Sequence, residues 1–349
     1  MSTFDIGKIN CPDIQANLTD FYATANLNQY TDIPLAFYLT SPVNTANIQS
    51  LNAFVSPGNS KLRTMQLIYT PRIPEAEISL DIDPSCVATN ESGMLETTCT
   101  VDETKGVFTS EVFGLTDLAR ICQDNPAFIA QRLAAHLDGL VRKMETDLHT
   151  KVSALAGGFS ADDTQSLIAS DIKDIEVLTS AGNPSVIGIS ELRYTMMQAY
   201  SPRLYTFGNG LITKYFDQIG DGCCTDFGVD LGSFYGNSGI VHFNDNRAAT
   251  ALGGTDRFLG LIPGAAQLVY YNRFAGSNLI DDASYKQFTV THGPTGLPFD
   301  VTWKNDCGNI SVEVFLAYEV CSAPTNMFAL NDPMSGFNGI LTFDAIQAS

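Results

Sequence analysis

The stretch from Asn125 to Gly158, "NPAFIAQRLAAHLDGLVRKMETDLHTKVSALAGG", has the pattern of one long amphipathic helix. Asn125 suits the N-cap, and Pro126 suits the first helical position. Gly157 and Gly158 provide a left-handed stop. One apolar stripe recurs at three- and four-residue steps: Ile129, Leu133, Leu137, Leu140, Met144, Leu148, Val152 and Leu155. At ~1.5 Å per residue the helix is roughly 45 Å long, so the sequence predicts a strut.

The composition is that of a folded and strongly acidic chain. Its 349 residues carry a formal net charge of -19, and 44% of them are hydrophobic, enough to form a core. No run of basic residues occurs, which argues against a surface that grips nucleic acid. The acidity suits a soluble protein that must not adhere to nearby DNA.

No part of the sequence predicts export or a membrane span. The N-terminus lacks a basic start followed by an apolar core, so we expect synthesis in the cytoplasm. The longest apolar run, "FLGLIPGAAQLVYY", is interrupted by Pro263 and Gly264 and is too short to cross a bilayer. We therefore expect no membrane partner.

The cysteines are expected to be reduced. There are eight, no signal sequence precedes them, and no Cys-x-x-Cys spacing occurs. Free buried thiols are therefore the better interpretation, and a zinc site is not expected. Cys86 and Cys99 flank the tip of one predicted hairpin, and they are the pair best placed to contradict this prediction.

The part of the chain before the long helix predicts an arm and a hairpin. Residues 1–58 are polar, with aromatic anchors but no clear period, and we expect an extended arm. Residues 59–113 contain two strand-like regions, "RTMQLIYTPR" and "TTCTVDETKGVFTSEVF", with a turn at Lys105-Gly106. Such a hairpin has few core residues and is marginal alone, so it needs a partner surface.

The part after the long helix mixes helices and strands. We expect a second helix over residues 160–182, a short buried strand in "PSVIGIS", and a short helix in "ELRYTMMQAYS". "RFLGLIPGAAQLVYYNRF" predicts strand, turn and strand, and "YKQFTVTHGPTGLPFDVTW" and "NISVEVFLAYEVCSAP" predict further strands. A polar C-terminal tail is expected from Thr325.

Catalytic patterns are missing. The sequence has no phosphate loop, no dinucleotide fingerprint and no nucleophile elbow. His136 and His149 lie thirteen positions apart on one helix and cannot hold one metal ion together. "DIDP" lacks the further spacing of a calcium loop, and Cys223-Cys224 is best interpreted as a buried reduced pair. We expect no catalytic, cofactor or metal site, no cofactor, and no enzymatic activity.

The order of elements resembles that of the major capsid proteins of tailed bacteriophages, which have the HK97-like fold. The helix quoted first resembles the spine helix of that family. "PSVIGISELRYTMMQ" resembles the strand-then-helix entry into the axial lobe, and "LGLIPGAAQLVYYNRF" resembles the turn and strand near the end of that lobe. "ISVEVFLAYEV" is similar to the long strand of the peripheral lobe.

The resemblance implies an α+β fold with an N-terminal arm, an extended β-hairpin loop, a long spine helix, and peripheral and axial lobes. The implied domains are the arm (1–58), the hairpin or E-loop (59–113), the peripheral domain with the spine helix (114–158 and 284–325), and the axial domain (159–283 and 326–349).

The implied function is a self-assembling shell protein. Hexamers and pentamers would form an icosahedral capsid around phage double-stranded DNA, without sequence-specific binding. Assembly would take place in the host cytoplasm, and the protein would reside in the virion with other capsid, portal or scaffolding proteins. Two alternatives stay open: an encapsulin-like shell around cargo, and a soluble β-rich hydrolase whose scattered carboxylates meet in space.

Charged residues of the hairpin are the candidate subunit-interface residues. The first limb carries the bases Lys61, Arg63 and Arg72, and the return limb carries the acids Glu91, Glu96, Asp102 and Glu103. These charges either pair within the hairpin or meet a neighbouring subunit. We also expect the helix stripe around Leu140 to pack on the late strand that carries Val312, Val314 and Leu316.

Overall fold

The fold is α+β, as the sequence predicts. The computed structural model describes residues 11–24, 32–45, 48–50, 61–69, 95–114, 125–156, 172–198, 201–220, 236, 238–274, 285–306, 309–324, 327 and 338–348. The helices in these ranges are α1 (Cys11–Thr24), α2 (Pro34–Thr40), α3 (Pro42–Thr45), α4 (Asn125–Ala154), α5 (Val186–Gln198), α6 (Leu211–Gly220) and α7 (Asn246–Leu252). None of the described helices is long and apolar enough to span a membrane.

The first sheet is antiparallel and is built around one long strand. Its strands are β4 (Gly106–Gly114), β9 (Ala266–Tyr271), β10 (Tyr285–Thr291), β11 (Pro298–Asp306) and β12 (Asn309–Ser322). They follow the order β10-β11-β12-β4, and β9 pairs with the last six residues of β12 on the edge opposite β4, in line with β11. The predicted alternation of β12 is confirmed, because Ile310, Val312, Val314 and Leu316 are all buried.

Helix α4 is the predicted strut. It contacts β4 and β12 of the first sheet and β13 (Ile340–Gln347) of the second sheet. Leu137, Leu140 and Met144 are buried, as predicted. The Tyr318 hydroxyl at the far end of β12 donates to Asp147 at 2.6 Å, so the helix runs along the strand that carries Val314 and Leu316. The expected glycine stop at 157–158 lies outside the described residues.

In the second sheet, two strands differ from the structure that the sequence predicts. Its order is β5-β13-β8-β6-β7, with β5 (Lys173–Leu178), β6 (Leu204–Gly208), β7 (Ile240–Asn244) and β8 (Arg257–Leu261). The second helix expected over 160–182 is wrong for residues 173–178, which form β5. The polar tail expected from Thr325 is also wrong in part, because β13 lies inside this sheet, between β5 and β8. Pairing with neighbouring strands overrides the local pattern in both cases.

The expected strand in "PSVIGIS" is wrong. Helix α5 begins at Val186 and includes most of that stretch. The Ser185 hydroxyl accepts from the backbone N–H of Ile187 at 3.2 Å, which satisfies one free donor at the start of the helix. Ile189, Leu192 and Met196 share one buried face at helical spacing. The β-branched residues that suggest a strand are therefore accommodated in the first turns of a helix.

The N-terminal segment is not an extended arm in the described part. It forms α1, α2 and α3, and both α1 and α2 pack against α4. Leu18 and Tyr22 on α1 are buried at i,i+4 spacing, and the Tyr22 hydroxyl donates to Asp138 on α4 at 3.3 Å. The buried Asn44 donates to the carbonyl of Ala266 at 2.8 Å, which ties this segment to the start of β9.

The predicted hairpin consists of β2 (Leu62–Tyr69) and β3 (Leu95–Asp102), which pair antiparallel, with β1 (Ile48–Ser50) on the outer edge of β2. The chain turns at the predicted place, but β4 then leaves the hairpin and joins the first sheet. A Cβ on Gly106 would lie 2.0 Å from the Leu316 carbonyl oxygen, so this turn requires glycine. Residues 70–94 between the two strands lie outside the described residues.

The base of the hairpin belongs to the core, which corrects two expectations. Leu67, Tyr69 and Val101 are buried within the subunit. Cys99 on β3 forms a disulfide with Cys321 on β12, with a Cα–Cα distance of 5.9 Å, so the prediction that no cysteines are bonded is wrong. The two residues are separated by 222 positions, and only the packing of β3 against β12 brings them together.

Candidate functional site

The described hairpin charges are partly paired within the subunit. Arg63 lies 2.8 Å from Glu103, and its guanidinium also lies over the Tyr271 ring at 5.2 Å. Asp102 accepts hydrogen bonds from the side chain and backbone of Thr104 at 2.6 and 2.9 Å, and these hold its pKa below the usual value.

The remaining hairpin charges lie at the surface or beyond the described residues. Glu96 accepts from Gln66 on the neighbouring strand, and Lys61 is exposed just before β2. Arg72 and Glu91 fall outside the described residues. The structure thus brings Arg63 and Glu103 together.

A lysine-lined groove lies beside the base of the hairpin. It has a volume of about 440 Å³ and runs between the turn that precedes β4 and the exposed face of α4. Lys105, Lys143 and Lys151 line it, together with Phe108 and Tyr318. Asp147 also lines the groove. Lys151 lies 3.6 Å from Asp147 and 3.0 Å from Glu319, and Lys105 lies 3.7 Å from Asp102, so two of the three lysine charges are paired within the subunit.

Strand β4 presents an apolar outer face and a free edge. Phe108 and Val112 are 58% and 65% exposed on the side of the sheet opposite α4. Within the described residues β4 has a strand neighbour on one side only, namely β12. An unpaired edge with exposed apolar side chains is typical of a surface that contacts another chain.

The inner face of β4 is fixed to α4 by a charged cluster. Glu111 receives hydrogen bonds from Arg132 and from His136, the latter at 2.6 Å. Burial alone would raise the pKa of Glu111, but these two bonds outweigh it and lower the pKa. Thr109 contacts the other ring nitrogen of His136 at 3.2 Å. His136 therefore has a structural role in attaching the strand to the helix.

A second charged cluster is buried where α2, α4 and α7 meet. Glu145, His149 and Asp245 are 0%, 0% and 1% exposed. Each supplies one potential ligand atom, and these three atoms lie within 4.8 Å of one another. It is the one such group of three or more found among the described residues.

Hydrogen bonds fix this cluster to three elements. The Glu145 carboxylate accepts from the backbone N–H groups of Leu35 and Ala36 at 2.6 and 2.8 Å, at the start of α2. Asp245 is the N-cap of α7 and accepts from the Arg247 N–H at 2.9 Å. His149 Nε2 lies 2.7 Å from Asp245 Oδ2.

The electrostatics of the cluster follow from its burial. Burial raises the pKa of Glu145 well above its usual value, and the adjacent Asp245 charge raises it further. Burial would also raise the pKa of Asp245, but the hydrogen bond and charge of His149 outweigh this and lower it. The pKa values of the two carboxyl groups are therefore shifted in opposite directions: that of Glu145 is raised and that of Asp245 is lowered.

Sequence reasoning missed this cluster. The detectable signal was Glu145-x-x-x-His149, an i,i+4 pair on one face of the predicted helix. The third member, Asp245, lies 96 residues beyond His149, and no spacing rule connects them. Because all three groups are buried, they do not form an open cleft of the kind that a hydrolase would use.

Comparison with known proteins gives similarity to bacteriophage capsids. No family model matches the chain, and no curated protein matches it. Among solved structures, the mature capsid of bacteriophage PhiM1 is similar over 82% of this chain and 83% of that one, at 9% identity and a TM-score of 0.43.

Two further capsids show the same degree of likeness. The capsid of cyanophage P-SCSP1u is similar over 84% of this chain and 86% of its own, at 12% identity and a TM-score of 0.40. The capsid of Myoviridae phage XM1 is similar over 83% and 87%, at 10% identity and a TM-score of 0.41.

Proposed function

We propose that this chain is the major capsid protein of a tailed bacteriophage with the HK97-like fold. The observation that carries the proposal is the 30-residue helix α4, which contacts the first and the second sheet. In the sequence this helix follows the hairpin strands β2 and β3 and the edge strand β4. This arrangement gives the subunit a rigid spine next to a β-hairpin. A protein with those parts is suited to tiling a closed surface.

The proposed domains follow the two sheets. The peripheral domain consists of residues 114–158 and 284–325, with α4 as the spine helix, and the axial domain consists of 159–283 and 326–349. Residues 1–58 form the N-terminal segment, and 59–113 form the hairpin. Strand β9 lies inside the axial range but pairs with β12, so the proposed axial domain contributes one strand to the first sheet.

The proposed subunit contacts involve the hairpin and the surfaces at its base. Phe108 and the lysine-lined groove lie near the hairpin base, and the free edge of β4 leads from there to the exposed Val112. Hexamers and pentamers built through these surfaces would bury them, since obligate assemblies hide apolar area at interfaces. We include the seven hairpin charges in this proposed interface: Lys61, Arg63, Arg72, Glu91, Glu96, Asp102 and Glu103.

The proposed role towards DNA is containment without specific binding. A net charge of -19 gives the wall little attraction for phosphates, so packed double-stranded DNA is enclosed and later released. The protein would assemble in the host cytoplasm, act in the virion with other capsid, portal or scaffolding proteins, and have no enzymatic role.

The direct test is the assembly state of the purified chain. Negative-stain microscopy and sedimentation should show polyhedral particles, rings or capsomers rather than a species near the 37.7 kDa of one chain. A monomer at all concentrations and salt conditions would contradict the proposal. Nuclease-protected DNA in particles from infected cells would distinguish a virus capsid from a shell that encloses a protein cargo.

A further inference from the structure

We infer that Glu145, His149 and Asp245 form a binding site for one divalent transition-metal ion of the zinc type, inside the subunit. Two ligands come from the middle of α4, and the third comes from the residue that caps α7. The site does not depend on the proposed function of the assembled protein.

The donor atoms suit zinc in kind. One imidazole nitrogen and two carboxylate oxygens form a mixed set that zinc accepts, whereas calcium and magnesium prefer oxygen ligands alone. Glu145 and His149 are separated by one helical turn, so both project from the same face of α4. Helix α4 therefore supplies a two-ligand platform, and Asp245 completes it from a second element.

The distances are close to those of a metal-bound site. Ligands of a tetrahedral zinc ion lie ~2.0–2.2 Å from the metal and therefore about 3.3 Å from one another. His149 Nε2 and Asp245 Oδ2 are 2.7 Å apart, and all three ligand atoms lie within 4.8 Å. A bound ion would replace the short His149–Asp245 hydrogen bond and separate these two groups by about 0.6 Å.

The two carboxyl groups of the cluster favour the binding of a cation between them. Two carboxyl groups meet in a site where all three side chains are at most 1% exposed, and His149, 2.7 Å from Asp245, can balance the charge of only one of them. Arg247 lies two residues after Asp245, but its guanidinium donates to the Asp32 carbonyl, and only its backbone N–H reaches Asp245. A divalent ion with a neutral histidine balances two ionised carboxylates.

The surrounding hydrogen bonds orient the ligands. The N–H groups of Leu35 and Ala36 hold Glu145, and the Arg247 N–H holds Asp245. Each carboxylate oxygen has a second lone pair, so these bonds leave donor capacity towards the shared centre. Outer contacts of this kind fix metal ligands in known sites. The ion would fasten both the N-terminal segment and α7 to the long helix.

The test is the metal content of the complete chain after refolding. The protein is unfolded in denaturant with a chelator, exchanged into metal-free buffer, and refolded with or without a slight excess of Zn²⁺. Elemental analysis should then find about one zinc ion per chain, and the zinc-refolded protein should melt at a higher temperature than the metal-free protein. Refolding with Co²⁺ should give visible absorption of a four-coordinate ion without thiolate bands.

Two variants locate the site. H149Q should fold, judged by circular dichroism, and lose the bound zinc, whereas H242Q, which changes a histidine outside the cluster, should keep it. If H149Q does not fold, the Co²⁺ spectrum of the wild-type chain still decides. Wild-type protein that refolds without zinc and gains no thermal stability from it would overturn the inference and leave a shared proton as the counter-charge. Full zinc content in folded H149Q would overturn it equally.

Discussion

Removing the Cys99–Cys321 disulfide should destabilise the subunit by a large and calculable amount. The bond closes a loop of 222 residues. In the chain-entropy description, closing a loop of this length removes about 18 cal/mol/K from the unfolded state, or about 5 kcal/mol at 25 °C. Residual structure in the unfolded chain reduces this figure, so we expect C99A to lower the free energy of unfolding by about 3–5 kcal/mol.

The measurement is urea unfolding of the wild type, C99A, C321A and the double variant, each with and without reductant. Alanine is chosen because Cys99 is fully buried and a serine hydroxyl would be left without a partner there. Each single variant should lose nearly the full amount, and the double variant should lose little more. Equal stability of oxidised and reduced wild type, with no mobility shift on non-reducing gels, would refute the reasoning.

Three further predictions concern folding, assembly and pH. Leu140→Asp places an unpaired charge at a side chain that is 5% exposed, costs several kcal/mol and prevents soluble folding, whereas Lys143→Asp on the exposed face gives a normal circular dichroism spectrum. Arg63→Glu combined with Arg72→Glu keeps the fold but gives few particles at low salt and more at high salt; a normal particle yield at low salt would count against the hairpin contact. Burial lowers the pKa of His242 from 6.5 to about 4, so the unfolded chain takes up a proton first. Stability therefore falls by up to about 3 kcal/mol between pH 6.5 and 4, and His242→Gln should flatten this dependence in urea titrations.

Elements with a long regular pattern were predictable from sequence. The apolar stripe of α4 and the apolar-polar alternation of β12 extend over many residues. Over such a length a helical repeat cannot be mistaken for the two-residue repeat of a strand, or the reverse. Short elements were not predictable in this way. Ile172, Ile175 and Leu178 have helical spacing, yet Ile175 and Leu178 lie in β5, because pairing with β13 decided the structure of that stretch.

The candidate functional residues likewise divide into groups that are close together in the sequence and groups that are far apart in it. The charges of the hairpin could be proposed as interface residues from sequence because each limb collects one sign of charge within a short stretch. The Cys99–Cys321 bond and the Glu145–His149–Asp245 cluster could not be found, because each joins segments that are 96 or more residues apart. No short stretch of a single sequence indicates that such distant segments come into contact.

The central strand β12 also determines how the subunit responds to mechanical force. Strands β9 and β11 pair end to end along one edge of β12, and β4 covers the other edge, since Ala317 pairs with both Gly106 and Tyr271. A pull on the hairpin reaches β12 through the disulfide at Cys321 and through β4. Force directed along β12 loads its flanking hydrogen bonds in parallel, as shear, rather than breaking them one after another as in peeling. A force that pulls the hairpin away from its own subunit along β12 is therefore resisted by many hydrogen bonds of the sheet at once.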